Sequence, residues 1–286
     1  MQFGIMFANT GHGSTPAGAT ALAQAAEQGG FTTAWTVDHV VVPSGYDSTY
    51  PYDPSGKMAG GAEEFDLPDP LIWMAWAAAT TTTLRFGTGI LIANLRNPLI
   101  TAKQVATLDH LSGGRIDLGV GVGWLREEFD ALGVPWEQRG RRLDEYVEAM
   151  RALWTMDKAD YHGQFVDFEQ CISRPRPAQG TIPIAIGGHT EAAARRAGRL
   201  GDAFFPGLAD TGAMAGLIDV MKRAAEAAGR DGEAIKIYAG GGGKPGPGLD
   251  ARIEALSALG VDQVILPAFA PDRLPEIGND LVSRFA

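Results

Sequence analysis

The chain has 286 residues, 45% of them hydrophobic, and a formal net charge of −10. Such an acidic chain disfavours nucleic acid and anionic membrane as general partners, and its single cysteine, Cys171, excludes an internal disulfide framework or a thiolate metal cluster. No apolar run approaches the roughly 20 residues that span a bilayer, and no basic, apolar leader precedes the first strand pattern, so a cytoplasmic location is expected.

Short β-rich runs then alternate with longer runs rich in Ala, Leu and Arg. The patterning predicts strands over Gln2–Phe7, Thr33–Val37, Leu84–Leu91, Ile116–Val122, Ile182–Ile186, Ala203–Pro206, Ile235–Ala239 and Gln263–Pro267. Helices are predicted near Gly18–Gln28, Pro70–Thr80, Pro98–Leu111, Gln138–Met156, Thr190–Arg199, Ala213–Ala228, Leu249–Leu259 and Arg273–Phe285. Pro70 and Pro98 stand near helix starts and Gly113-Gly114 closes the third helix. The Leu71–Ala79 run reads as a buried helix. Eight strands each followed by a helix is the count of a (β/α)8 barrel. The expectation is therefore an α/β fold, a single TIM-barrel domain over residues 1–286, with insertions after strands 2 and 4. A doubly wound sheet has the same alternation, but no nucleotide-binding glycine pattern follows the first strand.

The second strand ends abruptly in Asp38-His39, which a barrel places at its C-terminal rim, where such folds keep their chemistry. The plainer alternative makes Asp38 a turn cap and His39 a half-exposed loop residue. The first insertion, Val40–Leu67, carries Tyr46, Tyr50 and Tyr52 and reads as a substrate cover; the second, Asp157–Thr181, alternates like a hairpin around His162-Gly163. Gly87-Thr88-Gly89-Ile90 puts glycines inside the third strand, which suggests a bulge or a close backbone approach. Gly119-Val120-Gly121-Val122-Gly123-Trp124 lacks the dinucleotide spacing and reads as removal of side-chain bulk beside a ligand or another backbone. Gly187-Gly188-His189-Thr190 is a strand, a glycine turn and a helix start, whose free N–H groups suit a phosphate oxygen; equally, the glycines allow a tight turn and Thr190 caps the helix. Gly240–Gly243 before Lys244-Pro245 lacks the Ser or Thr of a P-loop and reads as a flexible loop, with Lys244 a candidate anion contact. His12, His110 and His162 read as structural or exposed.

In this order the segments Val37-Asp38-His39, Gly87-Thr88-Gly89-Ile90 with Asn97-Pro98, Leu111 to Trp124, and Pro183 to Gly188 with Gly201-Asp202 resemble the bacterial luciferase-like superfamily, in particular its coenzyme F420-dependent oxidoreductases. The resemblance implies that Asp38 and His39 face a deazaflavin ring, with His39 the acid/base group whose basicity Asp38 supports. It implies that Gly89-Ile90 forms a bulge with a non-proline cis peptide behind the ring, that Gly187, Gly188, His189 and Thr190 hold the phosphate, and that Val122, Gly123 and Trp124 wall the ring. Where sugar-phosphate dehydrogenases of the superfamily carry a catalytic glutamate this chain has Trp124, so that activity is not expected; Glu127 and Glu128 follow on a short helix and are not expected to reach the ring.

The expectation is an oxidoreductase moving a hydride between coenzyme F420 and a small organic substrate. Alternatives are an FMN-dependent luciferase-like monooxygenase on the same scaffold and a non-catalytic flavin- or deazaflavin-binding protein. A metal-dependent hydrolase is disfavoured because the few histidines are scattered, so no metal site is expected. A homodimer is implied by the resemblance alone.

Overall fold

A computed structural model describes residues 1–243 and 245–285, the side chains of residues 59 and 60 excepted; the anion contact expected of Lys244 lies outside the described residues. In chain order the first half forms β1 (Gln2–Met6), α1 (Pro16–Gln28), β2 (Thr33–Thr36), α2 (Pro70–Ala78), β3 (Arg85–Thr88), β4 (Leu91–Ile92), α3 (Pro98–Ser112), β5 (Ile116–Gly121), α4 (Arg126–Ala131) and α5 (Arg139–Thr155). The second half forms β6 (Ala159–His162), β7 (Asp167–Cys171), β8 (Ile184–Gly187), α6 (Glu191–Leu200), β9 (Ala203–Phe205), α7 (Thr211–Ala227), β10 (Lys236–Gly240), α8 (Pro247–Ala258), β11 (Gln263–Pro267) and α9 (Leu274–Phe285).

The parallel strands pair β1–β2–β3–β5–β8–β9–β10–β11, and β11 returns to β1 in register from Gln2↔Gln263 to Met6↔Pro267, so the ring closes as an eight-stranded TIM barrel. Its helices are punctuated as the sequence suggests: Asp69 and Asn97 each accept two backbone N–H groups at the starts of α2 and α3, with Pro at the first helical position. The lumen floor is filled by Trp35, whose ring packs against Tyr238 at 5.3 Å and whose Nε1 donates to Gln263 Oε1 at 2.8 Å. Gly87 leaves space for that ring, since a Cβ there would stand 2.4 Å from it.

Three places bear on the expectations. The third strand does not run unbroken from Leu84 to Leu91, and the interruption between β3 and β4 holds the cis peptide expected at Gly89–Ile90; beyond it Ile92 turns its N–H to Asp38 Oδ2 (2.9 Å). Helix α2 is not buried all round: Leu71, Trp73, Met74 and Ala77 pack inward, while Ile72 and Trp76, one turn apart, are 69% and 54% exposed. The glycines of β5 remove bulk as expected: a Cβ on Gly119 would stand 1.9 Å from the Thr88 carbonyl oxygen, a close backbone approach, and one on Gly121 would stand 3.0 Å from Ile90 Cγ2, a side chain. The second insertion is a hairpin, β6–β7, paired His162↔Asp167 across its tip; it follows α5 and rests on it through Tyr161 Oη, which donates to Glu148 (2.7 Å). No helix among the described residues is long and apolar enough to cross a membrane.

Candidate active site

The C-terminal ends of β2, β3, β5 and β8 converge on one rim, as parallel closure requires. At the end of β2 the buried Asn9 grips the backbone of Val37 on both sides, accepting its N–H (2.9 Å) and donating to its carbonyl (2.8 Å). The chain therefore leaves the sheet at a fixed point, and Asp38 and His39 diverge. Asp38 turns into the protein, where Oδ1 accepts from Arg96 (2.7 Å) and Oδ2 from the Ile92 N–H (2.9 Å). Arg96 reaches on to Asp69 (3.0 Å), tying the rim to the start of α2. Burial pushes the Asp38 carboxyl upward against the pull of Arg96; a guanidinium on one oxygen and an N–H on the other are the partners of a carboxylate.

Asp38 thus does not support His39, contrary to expectation: both its oxygens are committed elsewhere. The partner of His39 is Glu128 on α4, whose Oε2 lies 2.7 Å from His39 Nδ1. The Glu128 side chain is fully buried, and its Oε1 accepts from the N–H groups of Val40 (2.6 Å) and Val41 (3.3 Å). The neighbouring Glu127 accepts from the N–H groups of Asp47 (2.8 Å) and Ser48 (3.0 Å), so α4 holds the first insertion at two places. Burial works against the Glu127 charge, yet its hydrogen bonds from Ser48 and the Asp47 N–H more than offset this and lower its pKa from 4.5 to about 2.

Between rim and insertion lies a cavity of about 1310 Å³. Asp38, His39, Gly89, Ile90, Val122, Gly123, Trp124, Gly187, Gly188, His189 and Thr190 all line it. Its wall at the barrel mouth carries Ile90: a Cβ on Gly187 would stand 2.5 Å from Ile90 Cγ1 and one on Gly121 3.0 Å from its Cγ2. Glycines on β5 and β8 therefore seat a side chain delivered by the bulge, and that side chain, not bare strand, faces the cavity.

The cover is aromatic. Trp124 meets the rings of His39, Tyr46 and Tyr50 edge-on at 5.6, 5.5 and 5.0 Å. Tyr52 continues the row from Tyr50 (5.3 Å) to His189 (5.3 Å) and rests on Gly207, where a Cβ would come within 2.5 Å of its ring. The insertion therefore bridges from α4 to the β8–α6 turn. Burial pushes the Tyr50 phenol up to about 12, so it stays protonated at neutral pH.

Across the cavity lies the turn between β8 and α6. Thr190 Oγ1 caps α6 by accepting the Ala193 N–H (3.2 Å), and the first turn of that helix opens on the cavity wall. The buried Nδ1 of His189 and Nε of Arg139 have no hydrogen-bond partner among the described residues. The Arg139 guanidinium lies 3.7 Å from the Trp136 ring centroid and makes no ion pair among the described residues; burial lowers its pKa against the attraction of Glu137. Arg196, beside it, is already engaged by Asp144 and the Gly140 carbonyl. Sequence reasoning missed Glu128 and Arg139. His12 and His110 are exposed, and His162 pairs with Asp167 (2.7 Å) on the hairpin, away from the cavity.

With this geometry in hand, three similarities are informative. An uncharacterized protein of Mycobacterium tuberculosis is 39% identical over 213 residues, 73% of this chain and 72% of its own length. The FMNH(2)-dependent dimethylsulfone monooxygenase of Pseudomonas putida is 38% identical over 146 residues, 49% of this chain and 39% of its own. The coenzyme F420 dependent tetrahydromethanopterin reductase of Methanopyrus kandleri shares the fold, with a TM-score of 0.78 over 100% of this chain and 99% of its own at 20% identity. The family model described as luciferase-like monooxygenase matches residues 1–242, and the chain belongs to that family.

Proposed function

We propose that this chain is an oxidoreductase that uses coenzyme F420 to move a hydride to or from a small organic substrate, with His39 giving or taking the accompanying proton. One observation carries the reading: the His39 ring lines the cavity with Nδ1 engaged by Glu128 and Nε2 without a hydrogen-bond partner among the described residues. An imidazole so held can exchange a proton with a substrate near neutral pH.

The residues present fit a flat ring with an anionic tail. The unpartnered His189 Nδ1 and Arg139 Nε, with the start of α6, suit a phosphate. Gly187, Gly188, His189, Thr190 and Arg139 would hold that phosphate, Ile90 would support the ring, and Val122, Gly123 and Trp124 would flank it. A bound deazaflavin supplies or accepts the hydride at a ring carbon and reacts poorly with oxygen. The chain does the rest. In the reduction of a carbonyl, the imidazolium form of His39 would give its Nε2 proton to the carbonyl oxygen and become neutral, while the hydrogen on Nδ1 stays on the imidazole and is donated to Glu128. The aromatic cover formed by Tyr50, Tyr52 and Trp124 excludes water and favours apolar, flat substrates.

The second reading, an FMN-dependent monooxygenase, is favoured by the relative from Pseudomonas putida. The deazaflavin reading is supported by a cavity-lining His39 held by Glu128, which suits a proton exchange alongside a hydride step. Anaerobic incubation with reduced F420 and a panel of ketones, imines and activated alkenes tests the reading. Substrate-dependent reoxidation of the deazaflavin is expected; oxygen consumption with reduced FMN, and none of that reoxidation, would overturn it.

A further inference from the structure

We propose that Glu128 is a positioning residue that sets the tautomer of His39, placing the hydrogen on Nδ1 and leaving Nε2 as the proton-exchanging atom toward the cavity. The inference rests on the reading of His39 as the proton carrier. It starts from what a carboxylate can do: it accepts hydrogen bonds and donates none, so a 2.7 Å contact from Glu128 Oε2 requires a hydrogen on His39 Nδ1. The Glu128 side chain is wholly buried and that of His39 is 8% exposed, so water does not compete for the contact. Trp124 stands edge-on to the imidazole at 5.6 Å and 85°, which opposes rotation of the ring.

Glu128 also has a purely structural occupation, since its Oε1 accepts from the Val40 and Val41 N–H groups at the base of the insertion. The two occupations sit on different oxygens, so one substitution separates them. In Glu128→Gln the amide oxygen keeps the backbone hydrogen bonds, while the amide nitrogen turns to His39 and donates. Nδ1 must then be the acceptor, and the hydrogen moves to Nε2. The same isosteric change therefore preserves the insertion and inverts the imidazole. Glu128→Ala, by contrast, leaves the Val40 and Val41 N–H groups without an acceptor and removes both occupations at once.

The test is nitrogen-15 NMR of the imidazole in the protein without cofactor, at a pH where the ring is neutral, together with amide exchange at Val40 and Val41. Wild type is expected to show hydrogen on Nδ1, and Glu128→Gln hydrogen on Nε2, with exchange at both amides unchanged. In the cofactor-loaded enzyme, kcat of Glu128→Gln is expected to fall about 100-fold, within the range of general acid–base catalysis, with KM held. Hydrogen on Nε2 in wild type, an unchanged tautomer in the variant, or an inverted tautomer with full kcat would each overturn the assignment. The tautomer result needs no cofactor. An inverted tautomer in a protein that never turns over F420 would thus count against the F420 reading and leave the role of Glu128 in the tautomer standing.

Discussion

Glu128 Oε2 and His39 Nδ1, 89 positions apart in the chain, lie 2.7 Å from each other beneath an aromatic cover. Through this contact helix α4 orients the imidazole, and through the other oxygen of Glu128 and through Glu127 it holds the insertion that closes over it. The His39 imidazole and the cover share one support. Asp38, next to His39 in sequence, serves a different structure, the bulge at Gly89–Ile90–Leu91–Ile92.

That division predicts different costs for the two neighbours. Asp38→Ala removes the buried one of the two carboxylate partners of Arg96, leaving Asp69, and is expected to destabilise the fold by about 3 kcal/mol, as breaking a buried pair does. Asp38→Asn, which keeps an acceptor, is expected to lose less. Urea unfolding of both variants, read at constant m-value, checks the order.

Gly187 is expected to tolerate no side chain while Ile90 is present. A Cβ there meets Ile90 Cγ1 at 2.5 Å and Cδ1 at 2.6 Å, so Gly187→Ala should cost about 1–3 kcal/mol through overpacking. The double variant Gly187→Ala/Ile90→Ala should recover most of that overpacking term relative to Ile90→Ala alone. A double-mutant cycle on thermal unfolding measures the coupling; additivity would contradict the seat assigned to Ile90.

Glu127 carries a pH dependence whose sign is fixed by its lowered pKa. Folded, it titrates near 2 instead of 4.5, so it contributes stability above about pH 4.5 that is lost as pH falls toward 2. The stability gap between wild type and Glu127→Gln is therefore expected to be largest above pH 5 and to close on acidification. Urea titrations across pH 3–7 check this, and a gap that widens in acid would contradict it.

Arg139 is expected to hold an anion. Arg139→Met should weaken binding of a phosphate-bearing cofactor by about tenfold to hundredfold, the worth of a hydrogen bond to a charged group, with little change in melting temperature. Equilibrium titration of the variant measures it.

Much of the barrel was legible because its strands are short, apolar and separated by helices with proline starts and glycine ends. The rim followed from the count of units, and the glycine runs marked where backbone and side chain come close. The interior of the site was less legible. Asp38 and His39 read as a pair because they are adjacent, but at a strand end successive side chains diverge. In sequence Glu128 falls on a short helix and is not expected to reach the ring; Leu125 and Phe129, both fully buried, share its helical face, and a carboxylate on an apolar stripe was the available signal. Arg139 sits among Arg141 and Arg142, and no local pattern tells that it makes no ion pair among the described residues. The glycines of β5 pointed to a close approach by a ligand or another backbone; the Thr88 backbone makes it at Gly119, and only the bulge at Gly89–Ile90 shows that a side chain fills the space at Gly121.

The central claim, that this cavity is shaped for a deazaflavin, is tested most directly by titrating cofactor-free protein with oxidised F420 and with FMN side by side and following ligand fluorescence. F420 is expected to bind at least about tenfold more tightly, a difference of roughly 1.4 kcal/mol. FMN binding with equal or higher affinity would contradict the claim.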